Sequence, residues 1–153
     1  MSKVKIISGG QTGVDQGALD FALDFCFECG GYCPKGRKSE MGTIPFKYPV
    51  IENDSEKYIE RTRKNILASD GTLIIKDENE LDQGTKETLR ICKQLDKPYI
   101  IVETLATINS GYRFRQWLAE NKITVLNVAG NRHSSSPDIS GKAYLLLNKL
   151  FDY

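Results

Sequence analysis

The chain is poor in the residues that most catalytic and metal-binding motifs need. Its 153 residues hold one histidine, one tryptophan, two methionines and four cysteines. The lone His133 has no partner motif for zinc, and no Ser-His-Asp or nucleophile-elbow pattern appears. Four cysteines do not make a disulfide framework at this length. Cys26 and Cys29 fall in a helical stretch, Cys33 in a strand and Cys92 in another helix, which is not the spacing of a zinc knuckle. They read as buried, inert, reduced thiols, and no zinc or other metal site is expected. No apolar run approaches the ~20 residues of a membrane span, and the segment after Met1 is too short for a signal sequence. Neither sign of charge dominates: 21 Lys plus Arg against 20 Asp plus Glu leave a net charge of +1. That balance excludes the broad basic field of a nucleic-acid binder. A cytoplasmic protein is expected, with neither membrane nor nucleic acid among its partners.

What is present is ordinary for a globular domain, with 40% hydrophobic and 27% charged residues. No repeat, low-complexity tract or linker divides the chain, so residues 1–153 are expected to form one domain. Short β-branched runs alternate with helical stretches. Strands are predicted at Val4–Ser8, Gly31–Cys33, Gly71–Lys76, Pro98–Val102 and Ile123–Ala129. Helices are predicted at Asp15–Cys29, Lys57–Ala68, Thr85–Leu95, Gly111–Asn121 and Gly141–Phe151, with residues 35–56 irregular. Strands separated by helices indicate an α/β fold: a three-layer, Rossmann-like, mostly parallel sheet of about five strands with helices on both faces. In such sheets ligands bind beyond the carboxyl ends of the strands.

Two loops at those ends favour anions. The first, Ser8-Gly9-Gly10-Gln11-Thr12-Gly13-Val14-Asp15, runs from strand into helix; glycines allow close backbone approach, and a helix N-terminus offers unpaired N–H groups. Asp15 also suits the helix macrodipole there. The second is Asp82-Gln83-Gly84-Thr85, with Thr85 placed to cap the helix and Thr88 as a further hydroxyl. Neither is a P-loop, since Gly-x-x-x-x-Gly-Lys-Ser/Thr is missing. The first lacks Gly-x-Gly-x-x-Gly spacing, and Pro34-Lys35 stands where a dinucleotide fold holds a ribose with an acid, so a nicotinamide cofactor is disfavoured. Candidate cations lie near strand ends: Lys35 and Arg37 after the second strand, Arg61 in the helix before the third, Arg132 after the fifth. Arg61 and Asn65, spaced i, i+4, share a helix face.

These residues resemble the molybdenum carrier protein family. The matching blocks are Ile6 through Asp20, Gly31-Tyr32-Cys33-Pro34-Lys35-Gly36-Arg37, Tyr58-Ile59-Glu60-Arg61-Thr62, Ser69-Asp70-Gly71-Thr72-Leu73, Gly84-Thr85, and Leu126 through Ser134. The family is similar to the algal molybdenum cofactor carrier, which binds that cofactor without transforming it. More distantly it is similar to lysine-decarboxylase-like phosphoribohydrolases, relative to which this chain looks circularly permuted. The resemblance implies the strand order 2-1-5-3-4, with the last strand central and the Asn131–Ser136 loop as a third wall of the site. It also implies a carrier of molybdenum cofactor, or of a related phosphorylated pterin, with molybdoenzymes as recipients and a homodimer or homotetramer as the assembly. Phe21 and Phe25, on a second face of the first helix, point to association as well.

Under this reading Gly9, Gly10, Gln11, Thr12, Gly13, Gly84 and Thr85 hold the phosphate, and Arg61, Arg132 and Lys35 offset its charge. Asn127 and the Ser-rich loop, with Ser134, contact the pterin edge, and Gly130 is a further candidate of the ligand site. The glutamate that completes the hydrolase motif falls on Thr88, with Glu87 about 100° round the helix, so no catalytic residue is assigned. The alternatives are a nucleotide N-glycosidase using Arg61 with Glu87 or Asp15, and a nucleotide-sensing module.

Overall fold

The structure, a computed structural model, describes residues 3–153. Along the chain its elements are β1 (Lys5–Ile7), α1 (Val14–Asp24), β2 (Cys29–Gly30), β3 (Tyr32–Cys33), β4 (Lys38–Ser39), β5 (Gly42–Thr43) and β6 (Ile51–Glu52). There follow α2 (Tyr58–Ala68), β7 (Gly71–Lys76), α3 (Gln83–Gln94), β8 (Tyr99–Glu103), α4 (Ile108–Glu120), β9 (Val125–Gly130) and α5 (Ile139–Phe151). Five strands make one sheet in the order β2-β1-β9-β7-β8, all neighbours parallel. Counted along the chain, that is the expected order 2-1-5-3-4.

A strand covered on both faces cannot alternate polar and apolar residues. β7 accordingly buries all of Gly71 to Ile75. On one face Ile6, Leu73, Ile75, Val102, Leu126 and Val128 pack with α1, α4 and α5. Ile66, Ile91 and Cys92 form a smaller apolar cluster between α2 and α3. The register of the central pair is held at its base by Asp70, whose Oδ2 accepts from the Thr124 and Val125 amides and from Thr124 Oγ1, each at 2.8–2.9 Å.

Four sequence expectations change here. The first helix ends at Asp24, because Cys26 takes a left-handed conformation (φ 58°) and turns the chain under the sheet. Cys26 is therefore exposed and Cys29 half-buried, while Cys33 and Cys92 are buried thiols whose pKa burial raises. The expected second strand Gly31–Cys33 gives way to two short strands on either side of Gly31 (φ 122°), where a Cβ would sit 2.1 Å from Ser8 O; the first of them lies ahead of the expected span. Cys29–Gly30 pairs with β1, and Tyr32–Cys33 leaves the main sheet for β6. Residues 35–56 form a small lobe with the β4–β5 hairpin and its own core of Cys33, Ile44, Tyr48 and Val50 against Leu19. Finally, the second face of α1 is covered within the chain. Phe21 is fully buried, its ring 5.0–6.4 Å from those of Phe25, Phe27, Tyr144, Phe151 and Tyr153, so it needs no partner molecule.

Hydrogen bonds to Asp70 favour its charged form more than burial opposes it, and its pKa is held below the ordinary 3.8. Asp70→Ala is expected to cost about 1–3 kcal/mol at neutral pH. Because the folded pKa is depressed, that advantage is present above about pH 4 and fades as pH falls through the folded value. Urea denaturation of both proteins across the acid range checks it; a difference that stays constant with pH would rule out the ionised clamp.

Candidate functional site

The carboxyl ends of β1, β7 and β9 open on a cavity of about 260 Å³. Gln11 and Asp15 line it from the first glycine loop and α1. Tyr58, Ile59, Arg61 and Thr62 line it from α2. Asp82 to Thr85, with Glu87 and Thr88, form the wall at the start of α3, and Ala129, Gly130 and Arg132 close the end of β9.

At its centre lies a buried ion pair. Arg61 Nη1 donates to Asp15 Oδ2 at 3.2 Å, with the side chains 13% and 6% exposed. Gln11 N donates to the same carboxylate oxygen at 3.2 Å. Gly9 makes the pair possible, since a Cβ there would stand 1.5 Å from Arg61 Nη1. Burial pushes the Asp15 pKa up, and Arg61 and the Gln11 N–H pull it only part of the way back. Among the described residues two buried donors have no partner: Arg61 Nε and Gln11 Nε2.

The two glycine loops differ in what they leave open. In the first, Gly10 N donates to Ser8 Oγ, Gln11 N to Asp15, Thr12 N to Gln11 Oε1 and Val14 N to Asn131 O. Gly13 (φ 84°) packs beneath the loop after β9, where a Cβ would meet Asn131 O at 2.3 Å. Four of the loop's amides are thus taken up within the protein, and Gly10, Thr12 and Gly13 do not line the cavity. At the second, the helix cap is Asp82 and not Thr85: Asp82 Oδ1 accepts from Thr85 N at 2.9 Å and Thr85 Oγ1 at 2.8 Å, and its Oδ2 from Arg132 N at 2.9 Å. Gln83 and Gly84 begin α3 with N–H groups that have no intrahelical acceptor. Thr88 Oγ1 donates back to Gly84 O at 3.1 Å.

Several expected ligand contacts serve the fold instead. Arg37, in a left-handed conformation, donates from its guanidinium to the carbonyls of Ile44, Pro45, Tyr48 and Val50 and so clamps the small lobe. Lys35 is exposed and lies outside the cavity lining. Asn65 reaches both backbone groups of Tyr32, at 2.8 and 2.9 Å, and joins α2 to β3. Asn127 donates to Thr72 Oγ1 at 3.2 Å within the sheet. With Gly9, Asn65 and Asn127 line only an adjoining recess of about 10 Å³, room for about one water. Ser134 binds Glu40 through both N and Oγ.

Residues 6–151 match the model of the circularly permutated YpsA SLOG family. The chain belongs to that family. It is also similar, at 39% identity and a TM-score of 0.91, to a protein from Syntrophus aciditrophicus SB whose crystal structure bears the name "Putative molybdenum carrier protein". That match covers 97% of this chain and 94% of the other. No curated protein matches the chain. Permutation explains why this SLOG chain ends its sheet in the middle, with β9 between β1 and β7.

Sequence reasoning overlooked one wall of this SLOG cavity and a residue that braces it from outside. Tyr58 presents a half-buried ring with the Arg132 and Arg61 guanidinium carbons 5.2 and 5.8 Å from its centroid. Glu40, in the turn of the β4–β5 hairpin, was hidden in the segment read as irregular. Among the described residues no group of three or more His, Cys, Asp or Glu could hold a metal ion, and no helix is long and apolar enough to cross a membrane.

Arg61→Ala strands the Asp15 carboxylate, and a loss of about 3–5 kcal/mol is expected at neutral pH. The loss shrinks as pH falls, because the folded carboxyl, raised by burial, takes up a proton before the unfolded one does. Gly9→Ala, which displaces the guanidinium sterically, is expected to act in the same direction. Chemical denaturation between pH 4 and 8 tests both; losses under about 1 kcal/mol in each would dismiss the pair as a structural centre.

Proposed function

We propose that the cavity binds and carries a small phosphorylated ligand, the molybdenum cofactor or a related phosphorylated pterin, without transforming it. The observation that carries the reading is the set of unmet donors on the cavity's walls. Gln11 Nε2 and Arg61 Nε are buried without partners, and leaving each unmade costs about 1–3 kcal/mol. The Arg132 guanidinium makes no hydrogen bond among the described residues and has only a carboxylate at 4.0 Å. The first-turn amides of Gln83 and Gly84 add a helix N-terminus. Donors without acceptors suit a phosphate. The Tyr58 and Ile59 side chains supply apolar wall for a planar ring. No cysteine or histidine lines the cavity, so molybdenum would arrive as cargo, held by its own organic ligand. The name of the Syntrophus protein supports the same reading.

The hydrolytic alternative finds less support. A general base needs a free carboxylate within reach of its proton. Glu87 Oε2 accepts from Arg90 Nε and Nη2, at 3.0 and 2.7 Å, and Asp15 is engaged by Arg61 and Gln11. Hand-over to a molybdoenzyme and a homodimer or homotetramer belong to the same proposal. The β8 edge of the sheet, with Tyr99 exposed and Leu105 90% exposed just beyond it, is the surface that supports association; light scattering that returned 17.2 kDa would remove that part.

Excess protein is expected to slow the oxidative decay of free molybdenum cofactor. Arg132→Ala is expected to weaken binding about tenfold by calorimetry, the equivalent of one charge-assisted contact. An unchanged decay rate together with no heat of binding would refute the carrier reading. Release of base from nucleoside monophosphates, abolished by Glu87→Gln, would replace it with the glycosidase.

A further inference from the structure

We propose that Glu40 is the positioning residue of this cavity, holding the Arg132 guanidinium and the Gln11 amide in the attitude that a phosphorylated ligand meets. The inference rests on the anion reading above. Glu40 does not line the cavity; it acts from the β4–β5 turn on the two donors that do.

Its backbone reaches Gln11. Glu40 N donates to Gln11 Oε1 at 3.0 Å, and Thr12 N donates to the same oxygen at 3.1 Å. Two amide donors on one atom identify it as the oxygen. The nitrogen is thereby fixed as the donor, and it is buried without a partner among the described residues. Its carboxylate reaches the loop after β9. Oε1 accepts from Ser134 N at 3.1 Å and from Thr12 Oγ1, and Oε2 accepts from Ser134 Oγ. Thr12 Oγ1 also accepts from His133 N at 3.1 Å. One side chain thus joins the hairpin, the first glycine loop and the segment that carries Arg132.

The distance to Arg132 Nη1 gives the interaction its character. At 4.0 Å, without a hydrogen bond, the carboxylate attracts and orients the guanidinium but leaves its N–H groups open. The Tyr58 ring restricts it from another side, 5.2 Å from the guanidinium carbon. Hydrogen bonds from Ser134 and Thr12 also keep Glu40 ionised against the pull of burial, so the orienting charge is present at neutral pH. A brace that merely tied loops together would have no effect routed through Arg132, and this is the point of test.

Inorganic phosphate serves as the probe, with calorimetry on wild type, Glu40→Ala, Arg132→Ala and the double variant. Glu40→Ala keeps the backbone N–H to Gln11 and is expected to weaken phosphate about tenfold. In the Arg132→Ala background the same change is expected to cost less than about threefold, since the group it positions has gone. If Glu40→Ala melts below the assay temperature, Glu40→Gln, of nearly equal volume and without charge, takes its place in the cycle. A folded Glu40 variant that binds phosphate as wild type does would overturn the inference while the anion reading stands. An effect undiminished in the Arg132→Ala background would reduce Glu40 to a brace and overturn it as well. Wild type that binds no phosphate would remove the anion reading, and this inference with it.

Discussion

The site is organised around a guanidinium laid on a glycine. Arg61 occupies the volume where any side chain at Gly9 would have to be, and there it meets the buried carboxylate of Asp15. A buried ion pair contributes little net stability of its own, because both ions lose their hydration. Its effect is geometric. It fixes α2 against the first glycine loop, and α2 supplies one whole wall of the cavity. It also holds Asp15 where its oxygen receives Gln11 N, which shapes the loop's turn. Loss of either partner leaves a charge that the interior cannot solvate, so the arrangement is all or nothing.

Around that pair, the polar groups divide into two kinds. In the first glycine loop four amides find acceptors, on Ser8, Gln11, Asp15 and Asn131. The loop's glycines serve close packing more than ligand contact, as Gly13 beneath Asn131 demonstrates. The second loop has one glycine and an aspartate cap, and the first amides of its helix, on residues that line the cavity, have no intrahelical acceptor. Similar-looking glycine motifs thus differ in how many amides are taken up, and the difference lies in which acceptors the neighbouring side chains bring.

That division marks what was legible in the sequence. Strand order and the course of β7 could be read, because a doubly covered parallel sheet writes its burial into continuous apolar runs, and the family's permutation placed β9 in the middle. Arg61 could be placed, since its spacing from Asn65 put both on one helix face. Which of the two would line the cavity could not, because the expected strand holding Tyr32 leaves the main sheet, and Asn65 turns its amide to the Tyr32 backbone there. Arg37 illustrates the same limit. Its position after a strand end suggested an anion contact, but four carbonyls of a lobe without periodicity converge on it. Glu40 left no trace, as its partners Thr12 and Ser134 are distant in sequence and meet only after β9 has inserted between β1 and β7.

Under the proposed anion binding, charge counting misleads at this cavity for a related reason. Its lining includes two arginines, Arg61 and Arg132, against three acids, Asp15, Asp82 and Glu87, which by sum would repel an anion. Yet the acids are occupied: Asp15 by Arg61 and Gln11, Asp82 by Thr85 and the Arg132 amide, Glu87 by Arg90. A carboxylate whose lone pairs are filled by donors has its field largely cancelled nearby, while a guanidinium without acceptors keeps both field and directionality. What a ligand meets is therefore set by the groups left over after the protein has satisfied itself. Here these are donors: the guanidinium of Arg132, Nε of Arg61, Nε2 of Gln11 and the first amides of α3. On the proposed reading, a near-neutral chain holds an anion by unmatched hydrogen-bonding capacity and not by net charge.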